Sequence, residues 1–273
     1  MANKPVLRFP LNGIHRGKTI FVVGAGPQLA RLRKDTLEQL NSMITIGVNK
    51  TFFMVKLKYF LSAYIGEILL ATQQTDKTTI LHMREKYEPP LVQNVIPLKR
   101  MMFEPGMELT SELDALCPTL MTRLNVALGA THLAYVMGAR RIVFVGVEQR
   151  DRLHFWNFDE AARQKIVAAL KKRGDPQILK IDHSYATLER DLTALSMSPN
   201  ECMGPFFQID HTPTFRTYFH LLLRGGVEVI ATTTESVVAD AGARVLPLEQ
   251  ILAAIGNEDI ITEPDRLSDN PGI

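Results

Sequence analysis

The sequence predicts a doubly wound, mostly parallel α/β sheet with a helical lid inserted past its middle. Three observations lead there. Short apolar runs alternate with segments of helical spacing from Lys18 to about Ala254. The runs are continuously apolar rather than alternating, which marks strands covered on both faces. Between Glu148 and Pro213 the rhythm lapses for far longer than an ordinary α/β connection, and an insertion over the site is expected.

Each element follows from its residues. Thr19-Ile-Phe-Val-Val23 is a β-branched run stopped by Gly24, and Leu29 to Leu40 has apolar residues at 29, 32, 37 and 40. Met43 to Val48 reads as a second buried strand, with further strands at Tyr59–Ala63, Thr78–His82 and Asn94–Leu98. Leu124 to Met137 is an amphipathic helix closed by Gly138. Arg141 to Val145 is a strand closed by Gly146. In the insertion, 159–172 and 187–195 read as helices. The core then resumes with a helix at 214–223 ending at Gly225-Gly226, a strand at Val227–Ala231, a polar turn at Thr232–Ser236 and a closing helix at 248–255. The organisation is a basic N-terminal arm (1–17), a Rossmann-like α/β core (18–147), a helical lid (148–212), a return to the core (213–255) and a flexible acidic tail (256–273).

The 273 residues are 46% hydrophobic and 22% charged, an ordinary globular balance. Lys and Arg exceed Asp and Glu by 31 to 29, so charge alone does not signal nucleic-acid binding. Cys117 and Cys202 are far apart in no metal-ligand spacing, and a reducing, cytoplasmic setting is expected. The N-terminus lacks the unbroken apolar core of a signal peptide. No run approaches the ~20 apolar residues of a membrane span; the stretch Tyr59–Ala71 is interrupted by Gly66 and Glu67. Lys4, Arg8, Arg16 and Lys18 make the first residues basic, and both termini are expected to be solvated.

The motif with most chemical content is Gly24-Ala-Gly-Pro-Gln-Leu29, directly after a strand. Two glycines let the backbone approach an anion, and Pro27 suits the start of a helix. Leu29 and Asn49 stand where a dinucleotide fingerprint needs a small residue and an acid, so the NAD reading fails. Asn49 sits at a strand's carboxyl end, where open α/β sheets place ligand contacts. Asn125 reads as an N-cap and Arg123 as a phosphate contact. Glu148, at the end of another strand, is placed to touch a sugar or to hold Mg²⁺ through water, with a plain surface acid as the alternative. His132 and His220 fall inside helices and read as structural. Arg140 and Arg141 lie at the opposite, N-terminal end of a strand and read as surface charges. No P-loop, His-Glu-x-x-His or Gly-x-Ser-x-Gly motif occurs.

Taken together, Gly24-x-Gly-Pro-x-Leu29, Gly47-x-Asn49, Met137-Gly-Ala-Arg-Arg-Ile-Val-Phe-Val-Gly-Val-Glu148 and Gly226-Val-Glu-Val-Ile-Ala-Thr-Thr-Thr-Glu-Ser236 with Val245-Leu-Pro-Leu-Glu249 resemble a loose Rossmann-like superfamily. It includes the bacterial sialyltransferases of glycosyltransferase family 42, motility-associated glycosyltransferases, MptE-like pterin diphosphokinases and phage-borne relatives. The resemblance spans roughly residues 18–252. In the sialyltransferase branch the glycine loop and the asparagine hold a cytidine nucleotide sugar. A histidine after the lid is the base there. This implies nucleotide contacts at Gly24, Gly26, Pro27 and Asn49, and a general base at His211 in Ile209-Asp-His-Thr212; His183-Ser184 resembles the same motif. Lid tyrosines steady the leaving phosphate in that branch, and Tyr185 is the only tyrosine between Glu148 and His211. Arg152-Leu-His-Phe-Trp-Asn157 is similar to a histidine–aromatic segment of the phage relatives, so His154 and Trp156 are candidates to line the pocket, with Trp156 as lid core the competing reading.

The implied activity is sialyltransferase-like transfer from a nucleotide sugar, cytidine type favoured, to a hydroxyl acceptor, with a His general base and no required cofactor. The alternatives are an Mg/ATP-dependent diphosphokinase and a non-catalytic nucleotide-binding protein. The acceptor (a surface glycan, a protein, or nucleic acid through the basic arm) and the oligomeric state are left open by these residues.

Overall fold

The computed structural model describes residues 8–88, 90, 92–104, 106–123, 125–149, 153–175, 181–182 and 210–255. His183, Tyr185, the expected helix at 187–195, Cys202 and the acidic tail lie outside the described residues.

Among the described residues nine strands form one sheet in the order β6-β5-β4-β3-β2-β1-β7-β8-β9, and every neighbouring pair is parallel. They are β1 (Thr19–Val23), β2 (Thr45–Val48), β3 (Tyr59–Ser62), β4 (Thr79–Arg84), β5 (Val95–Met102), β6 (Thr119–Thr122), β7 (Arg141–Val145), β8 (Glu228–Ala231) and β9 (Arg244–Val245). The winding reverses between β1 and β7, which are paired directly, Phe21 beside Val143. Such a switch point is where doubly wound sheets open a crevice at the strands' carboxyl ends.

Alternate residues of β1 show why the strands are continuously apolar. Ile20 and Val22 face one core, shared with α4 (Val126–Val136), α6 (Thr212–Arg224) and α7 (Val237–Asp240). Phe21 and Val23 face the other, shared with α1 (Gln28–Arg31), α3 (Ile65–Gln74), α5 (Glu160–Arg173) and α8 (Leu248–Ala254). All five residues are buried, and each large apolar side chain so removed from water contributes about 1.5–3 kcal/mol.

The expected helix over 29–40 is two helices, α1 and α2 (Lys34–Leu40), with Leu32 and Arg33 extended between them. The five-residue step from Leu32 to Leu37 does not match the three- or four-residue return of a helical face. β6, α7 and β9 escape the periodicity because they are short or half-exposed; β6 shows only the alternating burial of an edge strand.

Two of the expected regions are integrated differently. Residues 8–17 were expected to be a solvated arm, but Phe9 and Leu11 are buried in the α4 core. The N–H groups of Gly13, His15 and Gly17 donate to the carbonyls of Val136, Met137 and Gly138 at 2.8–2.9 Å, completing the end of α4. Two apolar side chains outweigh the positive charges around them. In the 148–212 segment, the described part is a 3-10 turn (Phe155–Asn157) followed by α5, and Phe155, Ile166 and Leu170 belong to the Phe21 core. That part is a layer of the sheet's own packing. Among the described residues no helix is long and apolar enough to cross a membrane.

Candidate functional site

The carboxyl edge gathers most of the residues singled out above. At the switch point the β1 turn lies directly on the β7 turn. Gly24 N–H donates to Val145 O and Gly26 N–H to Gly146 O, both at 2.8 Å. A Cβ on Gly24 would overlap the Gly146 carbonyl, and one on Gly26 would overlap the Glu148 carboxylate. The glycines are therefore required by contacts within the chain. Glu148, 9% exposed, accepts the Gln28 N–H on Oε1 at 2.5 Å. The Gln28 side chain crosses the same gap: its Oε1 accepts from Gly146 N–H and from the Thr232 hydroxyl, each at 2.9 Å. Pro27 occupies the N-cap position of α1.

Beside it, at the ends of β2 and β3, lies a buried polar chain that the sequence reading missed. Asn49 is half-buried with φ 58°, a left-handed conformation that asparagine tolerates better than most residues. Lys50 Nζ pairs with Glu67 Oε1 at 3.1 Å, both side chains almost wholly buried. Ser62 donates its hydroxyl to Glu67 Oε2 at 2.7 Å and accepts the Tyr64 N–H at 3.0 Å. The one available signal was Glu67 itself, the acid interrupting the apolar run from Tyr59. Lys50 also sits over the Trp156 ring, 5.7 Å from its centroid. Trp156 is 5% exposed and belongs to the Phe21 core, as the competing reading allowed. His154 packs on it at 4.2 Å between ring centroids. Burial, reinforced by Lys50 and opposed by a hydrogen bond with the Ala25 backbone, pushes the His154 pKa down to about 4.

The third group is the corner where α4 and α6 begin. Asn125 caps α4, accepting the Ala127 N–H at 3.0 Å, and its amide donates to Gln149 Oε1 at 2.7 Å. That contact ties the start of α4 to the residue after Glu148. Arg123 is exposed just before the cap. His211 directly precedes α6, whose first N–H, on Thr212, is accepted by Asp210 Oδ1 at 2.9 Å. His211 Nδ1 is buried and has no hydrogen-bond partner among the described residues. Burial lowers the His211 pKa; Asp210 pulls it up and Arg123 pushes it further down, with a net fall. Burial thus favours the neutral imidazole.

His132 is the contrast. It accepts the Met121 N–H on Nδ1 and meets Thr110 O with Nε2, both at 2.9 Å, and burial holds its pKa at about 4. It is structural, as expected. Arg141 pairs with Glu228 at 2.7 Å at the opposite edge of the sheet. A cavity of about 390 Å³ adjoins the turn after β1 through Gln28 and Thr232, lined also by Arg31, Thr233, Pro247 and Glu249 among others. Among the described residues no group of three or more His, Cys, Asp or Glu side chains is arranged to hold a metal ion.

No family model matches the chain, and no curated protein matches it in sequence. Among solved structures it is similar to the sialyltransferase CstII from Campylobacter jejuni, whose structure is a complex with a substrate analogue, cytidine-5'-monophosphate. The identity is 13%, with 85% of this chain and 86% of that chain covered, and the TM-score is 0.39.

Proposed function

We propose that the chain is a nucleotide-sugar-dependent glycosyltransferase working at the carboxyl edge of the sheet, with His211 as general base. The observation that carries this reading is the α4–α6 corner: an imidazole whose buried Nδ1 has no partner among the described residues lies within electrostatic reach of an exposed guanidinium. Transfer of a sugar to a hydroxyl needs both. The acceptor oxygen forms the new bond to the anomeric carbon while the imidazole takes its proton. The bond from that carbon to the phosphate oxygen breaks, its electron pair leaves with the phosphate, and Arg123 is suited to receive the charge. The sequence motifs that resemble those of the sialyltransferase superfamily support this substrate class. They favour a cytidine nucleotide, with Asn49 on the neighbouring strand end offering an amide to a base edge or sugar hydroxyl.

The test is calorimetric titration with cytidine, uridine, guanosine and adenosine nucleotides, followed by turnover of the nucleotide sugar that binds. His211→Ala is expected to leave binding within a few-fold and to lower turnover by about 10²–10⁴-fold, removing the acid limb of the pH–rate profile. Arg123→Ala should weaken the nucleotide monophosphate more than the nucleoside. Equal turnover by wild type and His211→Ala across pH would overturn the assignment of the base, and activity wholly dependent on Mg²⁺ and ATP would replace the transferase by a diphosphokinase. Binding of no nucleotide would leave a non-catalytic protein.

A further inference from the structure

We propose that the cavity between α1 and the turn after β8 binds a small organic anion that also carries hydroxyl groups, with Arg31 taking the anionic end. Its volume, about 390 Å³, lies within the range of small-molecule sites, about 300–1,000 Å³. It opens at the carboxyl ends of β1, β8 and β9, the edge where doubly wound sheets receive ligands. Two segments that the transferase reading leaves without a role line it: the polar turn after β8, and Val245 with Glu249.

The polar groups of the lining define the ligand. Arg31 is the one cation among the described residues that line the cavity, so a single anionic group is matched and a polyphosphate is not. Its guanidinium rests over the Phe158 ring, 5.7 Å from the centroid, and has no hydrogen-bond or ion-pair partner among the described residues. A guanidinium stacked by its face keeps its in-plane N–H groups for a carboxylate or a phosphate, and it is always protonated in proteins. The Thr233 hydroxyl accepts the Glu235 N–H at 3.1 Å, which leaves its own proton without an acceptor among the described residues. Glu249 Oε1 accepts the Thr36 hydroxyl at 3.4 Å, whereas Oε2 has no partner among the described residues. A carboxyl oxygen accepts from a ligand hydroxyl in either protonation state. Leu32, Val245 and Leu248 supply apolar surface for the carbon skeleton.

The walls are fixed before a ligand arrives. Gln28 Nε2 donates to Thr232 O at 3.3 Å, closing the side toward the glycine turn. The Ser236 hydroxyl donates to Thr233 O at 3.2 Å, and Leu246 N–H donates to Ala231 O at 3.0 Å. A site formed in advance loses little affinity to ordering its own groups. Neither His211 nor Arg123 lines the cavity, so binding there does not depend on sugar transfer at the α4–α6 corner.

Glucuronate and glucose 6-phosphate are the probes, titrated calorimetrically into the full chain beside glucose and inorganic phosphate. At least one of the two acids should bind with a Kd below about 1 mM, and at least about tenfold more tightly than glucose or inorganic phosphate. Preference for glucuronate assigns a carboxylate to Arg31, and preference for glucose 6-phosphate a phosphate ester. Arg31→Gln should weaken that acid at least about tenfold. Its melting temperature should match wild type, because Arg31 is exposed. Val245→Trp, which fills the cavity from the exposed edge strand, should abolish binding. Arg123→Ala should bind as wild type does. Binding of neither acid overturns the proposal, and so does equal binding of glucose or of inorganic phosphate. Loss of binding in Arg123→Ala with retention in Arg31→Gln would place the anion at the α4–α6 corner and overturn it too. Should Arg31→Gln not fold, Val245→Trp decides, and an unaltered affinity in that variant sinks the idea. Loss of nucleotide-sugar turnover in His211→Ala alters none of these outcomes, so the two proposals fail separately.

Discussion

The turns after β1 and β7 and the corner between α4 and α6 share one edge of the sheet, yet they engage their polar groups to different extents. Around Gly24, Gly26, Gln28, Glu148 and Thr232, backbone and side-chain groups are bonded to one another across the switch point. The neighbouring Lys50–Glu67–Ser62 chain is closed in the same manner. At the corner, Arg123 is exposed and His211 Nδ1 meets no partner among the described residues. The difference teaches that a glycine-rich motif marks close packing first. Chemistry is better sought where a polar group is positioned and left unengaged, since burying such a group without a partner costs about 1–3 kcal/mol.

If that contrast is sound, stability should separate the two regions sharply. Lys50→Met leaves Glu67 buried without its cation and should cost about 3–5 kcal/mol in urea denaturation. His211→Ala should stay within about 0.5 kcal/mol of wild type by the same measurement. Comparable losses in both variants would erase the distinction.

Acidification sharpens the contrast next. His132 and His15 have folded pKa values near 4, His15 through burial and the nearby Lys58 and Lys18. Both titrate near 6.5 when unfolded. Between those values the unfolded chain binds more protons than the folded one, so their contribution is complete above pH 6.5 and falls as pH drops toward 4. The fully buried His132 should account for a loss on the order of 3 kcal/mol across that window. Denaturation midpoints at pH 7.5, 6 and 4.5 should decline, and His132→Gln should flatten the slope. A midpoint that does not move with pH would show that these histidines are not held neutral.

The smallest effect lies at the seam between the regions. Asn125→Ala removes a cap and the bond to Gln149, and should cost about 1 kcal/mol. Asn125→Asp keeps the acceptor for Ala127 N–H and loses the donor to Gln149 Oε1, so it should recover most of the loss. If Asn125→Asp is as unstable as Asn125→Ala, the tie to Gln149 outweighs the cap.

Much of the site's framework was legible in the residues. Asn125 as a cap, Gly138 as the end of α4, and Glu148 at a strand end all follow from local rules and are seen in the structure. The Lys50–Glu67 pair was not legible, because nothing in a sequence says that a lysine after β2 and a glutamate in α3 will meet in a dry place. The part of the basic N-terminus from Arg8 to Gly17 misled for the opposite reason. Its charges are conspicuous, whereas Phe9 and Leu11, which decide its position, are two residues in a short stretch with no period.

What the sequence determined by itself is the alternation of strand and helix and the burial of the strands on both faces. Hydrophobic spacing acts over a few residues, and each element carries its own pattern. Tertiary structure alone decided the role of the strand ends. Glu148 reaches Gln28 across 120 positions, and Gln28 reaches Thr232 across 204. Those meetings exist because β7 lies beside β1 and β8 beside β7, a strand order that no local pattern encodes. A carboxylate and a glycine that read separately as ligand groups, Glu148 and Gly26, lie against each other once the sheet is assembled.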